Sequence, residues 1–136
     1  MPSPQAADRW YQINALAKDD DAPSAAEILI YGNIGDRWDE NGVIAADFVR
    51  DLQSLDVETI TLRINSYGGS VPDGLAIYNA LRRHKASVDV HVDGVAISCA
   101  GYIAMAGNTV TMAANAQLMI HAPWGYAVGN AAELRA

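Results

Sequence analysis

The chain of 136 residues has one cysteine, Cys99, so an intrachain disulfide is excluded and a reducing compartment is expected. Cations are scarce, nine Lys and Arg against sixteen Asp and Glu, for a net charge of −7. That balance argues against nucleic acid as a partner, because phosphate binding needs clustered Lys and Arg. The one basic group, Arg82, Arg83 and Lys85, falls at an expected helix end, where cations meet the negative end of the helix dipole. No apolar run approaches the roughly 20 residues a membrane helix needs. The N-terminus shows no basic segment followed by an apolar one, so no signal peptide is read and a soluble, cytoplasmic protein is expected. No group of His, Cys and carboxylates has metal-ligand spacing, so neither a metal nor a cofactor is expected. Aromatics are only 7 % of the chain, while half of it is apolar and rich in small and β-branched residues. Such a mix suits close helix–sheet packing in one α/β domain.

What the chain does contain alternates in period. Trp10 to Leu16 reads as a strand, followed by an acidic loop from Lys18 to Ser24. Glu27 to Tyr31 is a short apolar strand closed by Gly32-Asn33. Ile44, Phe48, Leu52 and Leu55 share one helical face, and Ile60, Leu62 and Ile64 alternate as in a strand. A helix is expected from Pro72 to His84, then a strand carrying Val88, Val90 and Val92, with Asp93 as a turn residue before Gly94. Ser98 to Ala106 reads as a small-residue helix stopped by Gly107-Asn108, and Thr109–Met112 and Gln117–His121 as strands. The order predicts a layered α/β fold with right-handed crossovers. Asn130 with Glu133 three residues later opens a helix that the chain does not complete. Since isolated helices under roughly 12–15 residues are marginal, a longer natural product is expected.

Three segments carry chemistry. In Gly94-Val95-Ala96-Ile97-Ser98-Cys99-Ala100-Gly101 a serine stands where an apolar strand meets a helix, the placement of a held nucleophile. In Leu118-Met119-Ile120-His121-Ala122-Pro123 a histidine ends a later strand and suits a general base. Asn65-Ser66-Tyr67-Gly68-Gly69-Ser70 is a glycine turn able to offer backbone N–H groups to an oxyanion. By itself Ser98 would be read as an N-cap, the commonest role of such a serine; the glycine turn and His121 in order favour the nucleophile. Cys99 is the rival nucleophile, since a thiolate is stronger than a hydroxyl. His84 at a helix end and His91 on the outward side of a strand are read as structural. A phosphate loop is excluded because no Lys-Ser/Thr follows the glycines.

These segments resemble the ClpP family of serine peptidases from about Glu27 to Gly125. Ile64-Asn65-Ser66-Tyr67-Gly68-Gly69-Ser70-Val71 is similar to the family's Ile-Asn-Ser-Pro-Gly-Gly turn. Gly94-Val95-Ala96-Ile97-Ser98 is similar to its Gly-x-Ala-Ala-Ser segment, and Leu118 to Pro123 to its Met-Ile-His-x-Pro segment. The resemblance implies a ClpP/crotonase-like fold of repeated β-β-α units with the C-terminal part truncated. It divides the chain into 1–26 (tail, first strand and acidic loop), 27–129 (catalytic core) and 130–136 (start of a cut handle helix). It makes Ser98 nucleophile and His121 base, gives the oxyanion N–H groups to Gly69 and Cys99, and sets Gly68, Ser70 and Val71 beside an extended substrate strand. With the nucleophile on Ser98, Cys99 contributes only its backbone.

Within the family, Ile30-Tyr31-Gly32-Asn33-Ile34-Gly35-Asp36, Gly74 to Leu81, Val92-Asp93-Gly94, Ile103 to Gly107 and Pro123-Trp124 resemble the head maturation proteases of tailed phages and prophages. The implied partners are a protein or peptide substrate, capsid or scaffold protein of a prohead in the host cytoplasm, and further copies of the chain in a heptameric-type ring. An ATPase partner is left open. Two departures stand out: Tyr67 replaces the family's proline, and the third, acidic triad member is expected beyond Ala136. Two alternatives remain: a crotonase-type acyl-CoA enzyme, and a ClpP-fold subunit that serves assembly without catalysis.

Overall fold

A computed structural model describes residues 9–16, 24–35, 44–121 and 128–132. Nine elements follow in chain order: β1 (Tyr11–Ala15), β2 (Ala25–Tyr31), α1 (Ala45–Gln53), β3 (Thr59–Ser66), α2 (Val71–Arg83), β4 (Ser87–Ile97), α3 (Cys99–Ala104), β5 (Thr109–Met112) and β6 (Gln117–Met119). They build one six-stranded sheet of order β1-β2-β3-β4-β5, with β6 also paired to β4. β1 is antiparallel to β2, and every other pairing is parallel, as helical crossovers require.

The period-2 pattern decides which face is covered. Ile28, Leu62 and Val90 are register neighbours, as are Ile30, Ile64 and Val92, and all are buried in one core with Phe48 and Leu52 of α1, Ile77 and Leu81 of α2 and Ile103 of α3. Each such side chain contributes about 1.5–3 kcal/mol by leaving water. Trp10 and Tyr11 close the β1 end on Phe48, with ring centroids 5.7 and 5.1 Å from it.

The other face is polar. There Arg63 reaches Asp93 at 2.7 Å and Glu27 at 3.5 Å, and the Tyr31 hydroxyl donates to Asp93 at 2.5 Å. That hydrogen bond, helped by partial burial, pushes the Tyr31 phenol up to about 12. His91 lies half-buried on this face, as its place opposite the valines predicts. His84 follows α2 and is held at both ring nitrogens. Nδ1 accepts from the Ala86 N–H at 3.0 Å, so Nε2–H donates to the Leu55 carbonyl at 3.1 Å.

Four expectations change. Asp93 is not a turn residue: β4 runs through Gly94 to Ile97, because Arg63 and Tyr31 hold Asp93 within the sheet. α3 spans only Cys99–Ala104, with Ser98 outside it, and β6 ends at Met119, so His121 follows the strand by two residues. α2 begins one residue earlier than expected, capped by the Ser70 hydroxyl on the Asp73 N–H at 3.4 Å. The acidic loop residues 18–23, Asp36, Ala122 to Gly125 and Glu133 lie outside the described residues. Asn130 does accept from the Ala132 N–H at 3.0 Å, the bond an N-cap makes.

β4 is what positions the site. Its first half pairs with β5 through Asp89–Val92, and its second half pairs with β6 through Val95–Ile97. The changeover coincides with a register shift against β3 between Ile64 and Ser66. The strand thereby carries Ser98 away from β5 and toward the chain that bears His121.

Candidate active site

Ser98 is the only non-glycine residue with positive φ among the described residues, at φ 59° and ψ −128°. Such a conformation costs about 1–3 kcal/mol and persists only where its surroundings enforce it. Here they do: the Ser98 N–H donates to the Met119 carbonyl at 2.9 Å, and the Ser98 carbonyl accepts from Gly101 at 2.9 Å. The side chain makes no capping hydrogen bond, which removes the N-cap role. A serine on a strained strand-to-helix turn, with its hydroxyl not spent on the helix, has the geometry of a nucleophile elbow.

His121 reaches the same place from β6. Its carbonyl accepts from the Tyr102 hydroxyl of α3 at 3.3 Å, so the segment that bonds Ser98 through Met119 is also tied to the helix after Ser98. Ser98 and His121 line one cleft of about 350 Å³ with Asn33, Tyr67, Gly68, Gly69 and Val71.

The glycine turn forms the cleft's third wall. Gly68 has φ 97° and Gly69 φ 151°, values that side chains rarely adopt. Space is closed as well: a Cβ on Gly68 would lie 2.7 Å from the Ile97 carbonyl oxygen and 2.9 Å from the Ser98 Cβ. The turn is stitched to Ile34, whose N–H donates to Gly68 O at 2.9 Å and whose carbonyl accepts from Ser70 at 3.0 Å. The Gly68 N–H donates to the Ser66 hydroxyl at 3.0 Å.

Amide use separates the residues expected beside a substrate strand. Gly68 and Ser70 spend their N–H groups inside the protein, so a backbone edge for substrate cannot rely on them. Val71 opens α2, where its N–H has no acceptor within the helix, and the Gly69 amide is directed at the Cys99 thiol.

Cys99 is fully buried, and burial pushes its thiol up, although the Gly69 and Cys99 amides partly offset the shift. A buried, protonated thiol is a poor nucleophile, which argues against Cys99 as the rival of Ser98. Both amides thus lie beside the Cys99 thiol. Among the described residues no group of His, Cys, Asp and Glu could hold a metal ion. No helix there is long and apolar enough to cross a membrane.

Sequence reasoning passed over two residues of the turn itself. Ser66, buried, donates to the Gly32 carbonyl at 2.6 Å while accepting from Gly68. Asn65 accepts from the Val95 N–H at 3.1 Å, filling the ladder where β3 and β4 change register. Their signal was present, since Asn and Ser before paired glycines are turn-forming residues. Ser66→Ala is expected to cost about 1–3 kcal/mol, because it strands the buried Gly68 N–H. Denaturant unfolding would read that loss.

A mostly parallel sheet covered on one face by helices, with a serine elbow at the end of a forked central strand, is the ClpP fold. The chain belongs to the Clp protease family, whose sequence profile it matches over residues 9–136. It is 37 % identical over 110 residues to the ATP-dependent Clp protease proteolytic subunit of Ligilactobacillus salivarius, covering 79 % of this chain and 55 % of that protein. It is 33 % identical over 129 residues to ATP-dependent Clp protease proteolytic subunit 1 of Gloeobacter violaceus, covering 93 % and 61 %. Among solved structures, a ClpP1 mutant from Listeria monocytogenes superposes with a TM-score of 0.58 at 30 % identity, over 71 % of this chain and 56 % of that one. The chain thus spans somewhat over half the length of these relatives.

Proposed function

We propose that this protein is a serine endopeptidase of the ClpP type that cleaves capsid or scaffold protein during prohead maturation, acting as a ring-forming homo-oligomer in the host cytoplasm. The observation that carries the peptidase reading is the strained Ser98, held without a capping bond in one cleft with His121 and the Gly68-Gly69 turn. Ser98 Oγ attacks the scissile carbonyl carbon while His121 takes its proton. The carbonyl oxygen becomes an oxyanion facing the Gly69 and Cys99 N–H groups. Collapse of the tetrahedral intermediate breaks the C–N bond, and His121 returns the proton to the leaving amine. Water then repeats the sequence on the acyl-serine, with His121 again as base. The acid that orients His121 is assigned to sequence downstream of Ala136, on the family resemblance.

The prohead assignment is supported by the segments around Tyr31-Gly32-Asn33, Gly74–Leu81 and Ile103–Gly107, which resemble the phage branch. The decisive experiment is fluorophosphonate labelling of the full-length protein with peptide mapping and a Ser98→Ala control. An adduct on Ser98 is expected; labelling elsewhere, or none, would remove the serine mechanism. Co-expression with the capsid precursor of the same phage or prophage should yield a shortened capsid protein, dependent on Ser98. An uncut precursor beside a labelled Ser98 would leave a peptidase with another substrate.

A further inference from the structure

We propose that Tyr67 is the specificity wall of the cleft, selecting an aromatic or large aliphatic side chain on the residue immediately after the scissile bond. The inference rests on the peptidase reading above and names the substrate class for that site. Tyr67 lines the cleft with Ser98 and His121, yet its side chain is 72 % exposed. Among the described residues its phenol has no hydrogen-bond partner and no ring contact.

The backbone beneath the ring is fixed on both sides. Ser66 is buried and bonded to Gly32, and Gly68 is held by Ser66 and Ile34. A ring with two side-chain torsions on a fixed turn is a contact surface that loses little entropy when a substrate covers it.

Chain order says which part of a substrate it meets. Tyr67, Gly68, Gly69 and Val71 follow one another along the cleft wall, with Tyr67 at one end and Val71, the first residue of α2, at the other. With the scissile carbonyl at the Gly69 N–H and the acyl half along Val71, the first residue of the leaving half lies over Tyr67. An aromatic or aliphatic side chain there covers the exposed ring, whereas glycine leaves it wet and aspartate is desolvated without a partner.

The test uses the full-length protein and internally quenched peptides that differ only at the residue after the scissile bond: Phe, Leu, Gly or Asp. The wild type should favour Phe and Leu over Gly by about fivefold to tenfold in kcat/KM, the scale of one aromatic contact. Tyr67→Ala should flatten that preference to within about twofold, and Tyr67→Phe should keep it. Preference at the residue before the scissile bond should be unchanged in both. A wild type that does not discriminate overturns the proposal, as does a Tyr67→Ala variant that slows all four peptides equally. Failure of the wild type to cleave any peptide, with Ser98 unlabelled, would overturn the peptidase reading itself.

Discussion

Ser98→Ala is expected to lower peptide hydrolysis by about 10⁴-fold to 10⁶-fold while leaving the fold intact. The catalytic loss follows from removing the only group on the elbow that can attack a carbonyl, since the neighbouring Cys99 thiol is buried and shifted away from its reactive form. The fold survives because the Ser98 hydroxyl makes no capping bond, and the contacts that hold the elbow run through backbone atoms to Met119 and Gly101. Ser98→Gly sharpens the point. It also removes the nucleophile, but it relieves the strain of an L-residue at φ 59° and should raise stability by about 1 kcal/mol. Steady-state kinetics beside thermal unfolding would read both effects. An inactive variant more stable than the wild type would show that the protein maintains a strained backbone for catalysis. Undiminished turnover in either variant would dismiss Ser98 as nucleophile.

The periodic parts of the fold were legible because burial leaves a period in sequence. Ile60, Leu62 and Ile64 alternate since one face of β3 meets the helices, and Phe48 and Leu52 repeat since one face of α1 does. Asp93 was misread for a physical reason. Asp before Gly is a turn signal locally, but the neighbours that keep it in β4 are Arg63, thirty residues earlier, and Tyr31, sixty-two residues earlier. The site was legible as residue types but not as geometry. Three motifs name Ser98, His121 and the glycines, yet nothing in the string says that Ser98 lies outside its helix at positive φ. Nor does it say that Gly68 and Ser70 spend their amides inside the protein. Those facts depend on contacts between distant segments: Met119 receives the Ser98 N–H, and Ile34, thirty-five residues before Gly69, crosses the turn only once the sheet has formed.

Gly69→Ala is the second substitution with a large expected effect, and it separates space from chemistry. A Cβ at this position would stand 2.2 Å from the Ile34 carbonyl oxygen and 2.8 Å from its nitrogen, both backbone atoms with no rotamer by which to yield. The φ of 151° adds strain for any L-side chain. The turn must therefore move off Ile34, taking with it the Ile34–Gly68 and Ser70–Ile34 hydrogen bonds and the direction of the Gly69 N–H. Loss of one oxyanion donor costs about 10²–10³ in kcat, or about 3–4 kcal/mol of transition-state stabilisation. The core under β3 and α2 does not depend on that donor, so the variant should still unfold cooperatively, at reduced stability. kcat should fall by at least about 10² while fluorophosphonate still reaches Ser98, only more slowly, because the nucleophile and base are untouched. Wild-type kcat in a folded Gly69→Ala protein would show that this amide does not face the oxyanion. Complete loss of labelling together with an unchanged melting temperature would show instead that the turn acts by holding Ser98 itself, against which Gly68 packs too closely to leave room for a Cβ.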